Sequence, residues 1–579
     1  MDTTTKTPTS KTLTSGLDNK SSTVNQFRGI NLRYAREEYN ADGVLSSYAL
    51  EYPDNFNFAY DIVDDIAVND PNRTAMIWCE PGGDERVFSF AEMKRMSDKT
   101  ANYLRSLGIG KGDVVMVVLK RNYEFWFVAT ALHKLGALLL PATFMLTAHD
   151  AEYRINAAGV RCVICTALCD APEAFDRVAE RCPALELRVL VRGERPGWEN
   201  FGNGVESASE VFERVQTHIT DPMIMYFSSG TSGYPKMVLH NHTYALAHLW
   251  TAKHWHNVKP DGLHFTIADT GWGKAVWGKY YGQWMMEAPV LTYDYDKFDS
   301  AEIFKLLEKH GVTTLCMPPT MYRLLLSDPG VDKYDLSRLS YCTTAGEAMN
   351  PDVFRTWEEL TGLKIMEAFG QTETTVAICN IVGTTPKLGA LGKPSYQYSV
   401  ELHNEEGQRV PNGKTGEIVI KLGDKRPDGL MDCYYLNDDK TNDAFRGGYY
   451  HTGDMAWMDE DGYYWYIGRN DDIIKSSGYR IGPFEIESVL AEHKAVRECA
   501  VTSVPDPMRG QAVKATIVLE AGFAPSDELT LELQNYVKEN TAPYKYPRVV
   551  NYVDELPKTV NGKIRRVEIR AEDIRNAMS

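Results

Sequence analysis

The chain has 579 residues, 43% of them hydrophobic and 24% charged, with a formal net charge of −17. That length exceeds one ordinary core and predicts more than one domain. The acidic balance argues against general affinity for nucleic acid or anionic membrane, so any phosphate-bearing ligand must be met by local Lys and Arg residues. No apolar run approaches the ~20 residues of a spanning helix, which excludes integral membrane association.

Residues 1–25 are about half Ser and Thr, with no apolar core for a signal peptide and no Arg for a transit helix, and read as a disordered tail. Ten cysteines are scattered without a dense framework, as in a reducing compartment, and the expected location is cytoplasmic. Cys162, Cys165, Cys169 and Cys182 come nearest to a metal pattern, but the first two flank Val163 and Ile164 in an apolar run, which makes them core thiols of a strand.

From about 50 to 220, helical and strand patterns alternate. Residues 90–107 carry helical apolar spacing and stop at Gly108, 113–119 form a Val-rich buried strand, and 123–135 return to helix. Such alternation predicts parallel sheets covered by helices, with anion-binding loops beyond the strand C-termini. The apolar run 223–227 then leads into Ser228, Ser229, Gly230, Thr231, Ser232, Gly233, Tyr234, Pro235 and Lys236. Hydroxyls, loop N–H groups, glycines and a terminal cation are phosphate-binding chemistry. It is not a Walker loop: Tyr234 and Pro235 separate Gly233 from Lys236, and Met237 stands where the metal-binding hydroxyl belongs.

The segment 240–300 is rich in Trp, Tyr and His, read as core packing and local hydrogen bonding. The βα pattern resumes with a helix at 301–309 and a strand at 313–317, and 400–467 turns to strands and turns, such as 416–422 and 463–467. Beyond Arg469 a helix over 480–491, strands over 499–504 and 512–520, and a helix over 529–538 make a separate α+β unit. The expected fold class is α/β. A large domain of helix-covered parallel sheets with a small β subdomain spans 26–468, a hinge 469–472, and a small mobile α+β domain 473–579.

Four further motifs follow the Ser228 loop in order: Phe369-Gly370-Gln371-Thr372-Glu373, Tyr450-His451-Thr452-Gly453-Asp454, Gly468-Arg469-Asn470-Asp471-Asp472 and Pro557-Lys558-Thr559-Val560-Asn561-Gly562-Lys563. Together they resemble the adenylate-forming superfamily of acyl-CoA synthetases, firefly luciferases and peptide-synthetase adenylation domains, over roughly residues 50 to 570. Ala268-Asp269-Thr270-Gly271-Trp272 looks most like the medium-chain acyl-CoA synthetases. The resemblance implies an acid–thiol ligase using ATP, Mg²⁺ and coenzyme A. A carboxylate attacks the α-phosphate to give an acyl-adenylate and pyrophosphate, and coenzyme A then takes the acyl group. Rival readings are transfer to a carrier-protein thiol or another acceptor, and an aromatic-acid ligase. The expected partners are these small molecules, with a homodimer as an open expectation.

By that resemblance Lys563 bridges carboxylate and α-phosphate, Thr372 donates to the phosphate, and Glu373 holds the metal, as a hard cation among phosphates requires. The Ser228 loop through Lys236, the segment Gly346-Glu347-Ala348, the motif Phe369-Gly370-Gln371, Asp454 at the ribose, Arg469 and Arg480 complete the nucleotide site. Trp272, Gly346 and Gly370 would line the acyl pocket. Acetyl-CoA synthetases carry Trp at the place of Gly370, so glycine there is read as leaving space for longer acids. Ser477 and Gly478 would wall the coenzyme A tunnel, Arg509 and Lys538 would meet its phosphates, and Asp471 would be the pivot of the small domain.

Overall fold

The computed structural model describes residues 27–228, 235–347, 349, 351–476, 479–558 and 564–578, with the backbone alone of Arg480, Ile574, Asn576, Ala577 and Met578. The tail, Ser229, Gly230, Thr231, Ser232, Gly233, Ala348, Ser477, Gly478 and Lys563 therefore lie outside the described residues.

Two large sheets form the body. One runs, in spatial order, Cys433–Tyr434, Lys236–Asn241, Pro222–Ser228, Leu138–Pro141, Val114–Val118, Cys162–Thr166, Leu187–Val191 and Glu199–Asn200. The other runs Lys393–Pro394, Val376–Cys379, Ile365–Gly370, Tyr341–Ala345, Thr314–Cys316, His264–Thr266, Val290–Tyr293, Thr74–Cys79 and Glu85–Ser89. Their centres are parallel and their edges antiparallel, except that the edge strand Glu199–Asn200 runs parallel to Leu187–Val191. The central strands are apolar throughout, as strands covered on both faces must be: all five residues of Val114–Val118 are buried.

The helices between them follow local signals. Phe90–Ser106 opens with a capping box, the Ser89 hydroxyl accepting from the Glu92 amide while the Glu92 carboxylate accepts from the Ser89 amide. Glu124–Leu135 is buried along its whole length and ends at Gly136 in the left-handed region (φ 69°). One apolar cluster joins Val115 and Ile224 of the first sheet, Met76 and Ala368 of the second, and helical Trp126 and Trp284. Because both sheets share this core, the C-terminal ends at Ser228, Ala345 and Gly370 are held as one rigid edge.

A four-stranded antiparallel sheet of Val400–His403, Gly416–Lys421, Tyr449–Met458 and Tyr464–Arg469 supplies the β subdomain. After it, Ile474–Ser476, Tyr479–Ile481, Val496–Asp506, Gly510–Leu519 and Val549–Tyr552 build a second small sheet packed on Pro483–Ala491 and Asp527–Asn540. Within 480–491 the helix begins at Pro483, the point after which it is expected, while residues 479–481 pair antiparallel with 474–476. Pro is suited to a first helical turn, whereas a three-residue strand is too short to show a period.

Candidate active site

Asp454 is the centre of the nucleotide-side cluster. It is buried in the strand Tyr449–Met458, opposite Arg469 of the neighbouring strand. Its Oδ1 accepts from the Tyr466 hydroxyl (2.7 Å), and its Oδ2 accepts from Arg469 Nη1 (3.2 Å) and from the Gln371 amide (2.5 Å). Burial pushes the Asp454 carboxyl upward and the Arg469 guanidinium opposes that shift. Gln371 is itself oriented by the Tyr450 hydroxyl, which donates to its Oε1 (2.7 Å). Phe369 lies beside Tyr466, ring centroids 6.2 Å apart. Three of the roughly four acceptor sites of the Asp454 carboxylate are thus filled by protein donors, which leaves one for a further donor.

Glu373 and Lys236 meet through a third residue. Tyr434 donates to Glu373 Oε1 (2.9 Å), and Lys236 Nζ sits 3.5 Å from the same hydroxyl and 4.5 Å from the ring centroid. Burial lowers the Lys236 pKa, with Glu373 acting against it, and burial beside Glu373 raises that of Tyr434. Ser228 and Lys236 are register partners across the antiparallel strands that flank the Ser/Gly segment.

The Thr372 carbonyl accepts from His240 Nε2 (2.8 Å), which fixes the ring in the Nε2–H tautomer. His240 is fully buried, stacks on Tyr244 with centroids 4.0 Å apart, and is held neutral by burial, its pKa lowered to about 4. His240 is therefore a positioning residue for the Thr372-Glu373 turn. His240→Phe is expected to keep its thermal unfolding midpoint within a few degrees yet lower carboxylate-dependent pyrophosphate exchange about 10-fold, the ~1.4 kcal/mol of one buried hydrogen bond. Unchanged exchange would mean that the turn is held by the rest of the motif.

On the acyl side, Trp272 precedes the helix Gly273–Lys279 and its amide bonds to the Asp269 carbonyl (3.2 Å). Gly271 is obligatory: a Cβ there would lie 2.4 Å from the backbone of Ala142 and Thr143. Lys274 donates to the Ala345 carbonyl (2.9 Å), which ties this motif to Gly346, a residue at φ 96°. Glu347 next to it accepts from the Thr320 hydroxyl (2.8 Å).

Gly370 departs from its expected role. A Cβ built on it would stand 2.5 Å from the Thr375 carbonyl oxygen and 2.6 Å from the Trp277 ring. The space over Gly370 is filled by Trp277, whose indole N–H donates to the Tyr244 hydroxyl (3.0 Å). The glycine permits close packing and does not leave the pocket open. Gly370→Ala should therefore cost ~1–3 kcal/mol by overpacking, read in denaturant melts, and Gly370→Trp should lose activity on all acids instead of turning to acetate. A stable Gly370→Trp protein that prefers acetate would restore the original reading.

The coenzyme A candidates lie in the small domain, apart from these clusters. Arg509 is engaged by Asp506 (3.7 Å), and Lys538 stands over the Tyr546 ring (4.2 Å) with Arg548 at 4.6 Å from the same centroid. The segment 469–472, expected as the hinge, divides its bonds: the Asn470 amide donates to the Gly453 carbonyl of the large domain (2.8 Å), while Asp472 pairs with Arg570 (2.5 Å) and Arg566 (3.8 Å) of the terminal helix. Asp471, between them, is half exposed and 3.7 Å from Arg469 Nε.

Hydroxyl, acid and cation groups converging at the C-terminal edge of two covered sheets, with a second, small domain joined to the body by a short polar segment, define a nucleotide-dependent ligase. Residues 63–435 match the family described as AMP-binding enzyme, and residues 485–563 match the AMP-binding enzyme C-terminal domain. The chain is 41% identical over 531 residues to the mitochondrial acyl-coenzyme A synthetase ACSM4 of Rattus norvegicus, covering 90% of this chain and 91% of that protein. It is 39% identical over 544 residues to mitochondrial ACSM3 of Mus musculus, covering 92% and 93%. Among solved structures, the anthranilate CoA ligase AuaEII in complex with anthranoyl-AMP superposes with a TM-score of 0.83 at 28% identity, covering 91% of this chain and 99% of that one. The acyl-CoA synthetase of Brucella canis gives 0.69 at 30% identity, covering 91% and 96%.

The chain belongs to the AMP-binding enzyme family. The cytoplasmic expectation is overturned, because these curated relatives carry a mitochondrial designation. Free thiols separate reducing from oxidising compartments but not cytosol from mitochondrion. No helix among the described residues is long and apolar enough to cross a membrane.

Proposed function

We propose that this enzyme, an AMP-forming acyl-CoA synthetase, activates a medium-chain or branched aliphatic carboxylate with ATP and transfers the acyl group to free coenzyme A. The observation that carries the reading is the convergence of Glu373, Lys236 and Thr372 at one strand edge beside the Asp454–Arg469 pair, in a chain whose relatives are acyl-CoA synthetases. Reaction of an anionic carboxylate with a polyanionic nucleotide needs fixed cations and donors more than a protein nucleophile.

Within it, Lys236 and the Ser228 loop meet the phosphates, Thr372 donates to the α-phosphate, and Asp454 with Arg469 engages the ribose side. Phe369, Gly346 and Glu347 border the base. Glu373 fits a hard divalent cation as a half-buried carboxylate at the phosphate side, and a bound Mg²⁺ would neutralise phosphate charge there. Trp272 and Trp277 wall the acyl chain. Ser477, Gly478, Arg509 and Lys538 serve coenzyme A, and Arg480 a phosphate after the small domain turns, with 26–468 and 473–579 as the two moving parts. Arg548 joins the coenzyme A cations by its place beside Tyr546 and within reach of Asp506.

The likeness to an anthranilate ligase at 28% identity and the aromatic lining of Trp277, Tyr244 and Tyr226 give an aryl acid standing as the second reading. A panel from acetate to decanoate with branched and aromatic acids, assayed for thioester with free coenzyme A, decides between them. Highest kcat/KM on a medium or branched alkyl acid supports the proposal, and highest on benzoates overturns it. Neighbouring chain lengths should differ by only ~1–3 kcal/mol per methylene.

A further inference from the structure

We propose that Cys79, Glu85 and His310 form a zinc-binding site at the edge of the nine-stranded sheet, apart from the AMP site. Cys79 ends the strand Thr74–Cys79, Glu85 opens the edge strand Glu85–Ser89, and the two are register partners across the hairpin. His310 is the last residue of the helix Ser300–His310, which packs beside them. Cys79 Sγ lies 3.7 Å from His310 Nε2, His310 Nε2 lies 3.5 Å from Glu85 Oε2, and all three donor atoms fall within 4.8 Å of one another. They are the one such group among the described residues.

A tetrahedral zinc with ordinary bond lengths to sulfur, nitrogen and oxygen has S···N and N···O edges of roughly 3.5 and 3.4 Å. The donors already stand within a few tenths of an ångström of those edges. Thiolate, imidazole and carboxylate together suit a borderline-soft cation such as zinc and are a poor set for Mg²⁺ or Ca²⁺. A cavity of about 320 Å³ opens beside the group, bordered by Gly83, Tyr293 and Glu302, and gives room for a water as fourth ligand.

A bare Cys–His contact is the competing reading. Burial pushes the Cys79 thiol up to about 12 and pulls His310 down, so in the absence of metal both are neutral at pH 7. Lys309 meanwhile holds Glu85 at 2.6 Å, with Glu80, Asp84, Glu302 and Lys305 also facing the cavity. Metal entry releases the thiol proton to solvent and moves Lys309 off the carboxylate, while His310 needs no deprotonation. The bond would pin the helix end to the edge hairpin, one strand from Val290–Tyr293.

The test uses the full chain, stripped with chelator and titrated with Co²⁺ as a spectroscopic probe. One equivalent should produce a thiolate-to-cobalt charge-transfer band and tetrahedral visible bands, both erased by added zinc. Cys79→Ser should abolish the charge-transfer band, and His310→Gln and Glu85→Gln should each weaken cobalt binding at least ~10-fold. Cys433→Ser, far in sequence and half-buried, should leave the band intact. Glu85 is exposed, so its variant keeps the test valid should Cys79→Ser fail to fold. Absence of the band at stoichiometric cobalt, or a band that survives Cys79→Ser or is unweakened by Glu85→Gln, overturns the proposal.

Discussion

Lys563→Ala is expected to cut carboxylate-dependent pyrophosphate exchange by on the order of 10³-fold, about 4 kcal/mol, while leaving conversion of supplied acyl-adenylate to acyl-CoA near normal. The asymmetry follows from charge. Adenylation brings an anionic carboxylate onto an anionic phosphate and needs a cation between them, whereas thioester formation starts from an adenylate in which that repulsion is gone. The described residues on either side of 559–563 are tied together: Lys558 bridges Ile564, the Arg565 amide donates to the Pro557 carbonyl (2.8 Å), and Lys558 is anchored on Glu498 (2.7 Å). Arg566 is committed elsewhere, bonded to Glu487 at 2.6 Å, so it is poorly placed to substitute. Exchange within a few fold of wild type, or equal loss of both half-reactions, would remove Lys563 from this role.

Asp471→Pro is expected to spare adenylation and lower acyl-CoA formation at least ~100-fold, about 2.7 kcal/mol. The large domain holds Asn470 through Gly453, the small domain holds Asp472 through Arg570 and Arg566, and a turn at the residue between them has to release only the Asp472 and Ile473 amides from the Arg469 carbonyl (3.0 and 3.1 Å) and the Asp471 carboxylate from Arg469. Rotation must also lift the start of Pro483–Ala491 from the strand it rests on. A Cβ on Gly482 would stand 2.4 Å from the Ile467 carbonyl oxygen, and Phe484 packs on Tyr466 with centroids 6.3 Å apart. Proline fixes φ near −65° and restricts Asn470 as well, so one arrangement is trapped. Equal loss of both steps would indicate damage to the fold, and loss of neither would move the pivot.

The chain-local features of this molecule were legible in its residues. Apolar runs marked the buried strands 114–118 and 222–228. The site's supporting residues were not. His240 reaches Thr372 across 132 positions, Tyr434 reaches Glu373 across 61, and Tyr450 reaches Gln371 across 79. Each is an aromatic or imidazole in a strand; Tyr450 opens a motif visible in the sequence, but nothing in the neighbours of His240 or Tyr434 distinguishes them from core packing. Gly370 failed for a related reason: an absent side chain says only that space is needed, not which group fills it, and here Trp277 does. Cys79, Glu85 and His310 carry no motif spacing at all, since a hairpin and a distant helix bring them together.

The reaction itself is tested most directly by incubating the enzyme with ATP, Mg²⁺, coenzyme A and a medium-chain acid whose carboxylate oxygens carry a heavy isotope, then locating the label. Attack of the carboxylate on the α-phosphate followed by thiol capture predicts one labelled oxygen in the phosphate of AMP, unlabelled pyrophosphate, and an equal amount of acyl-CoA. Label in orthophosphate with ADP as the nucleotide product, or unlabelled AMP formed without thioester, would contradict it.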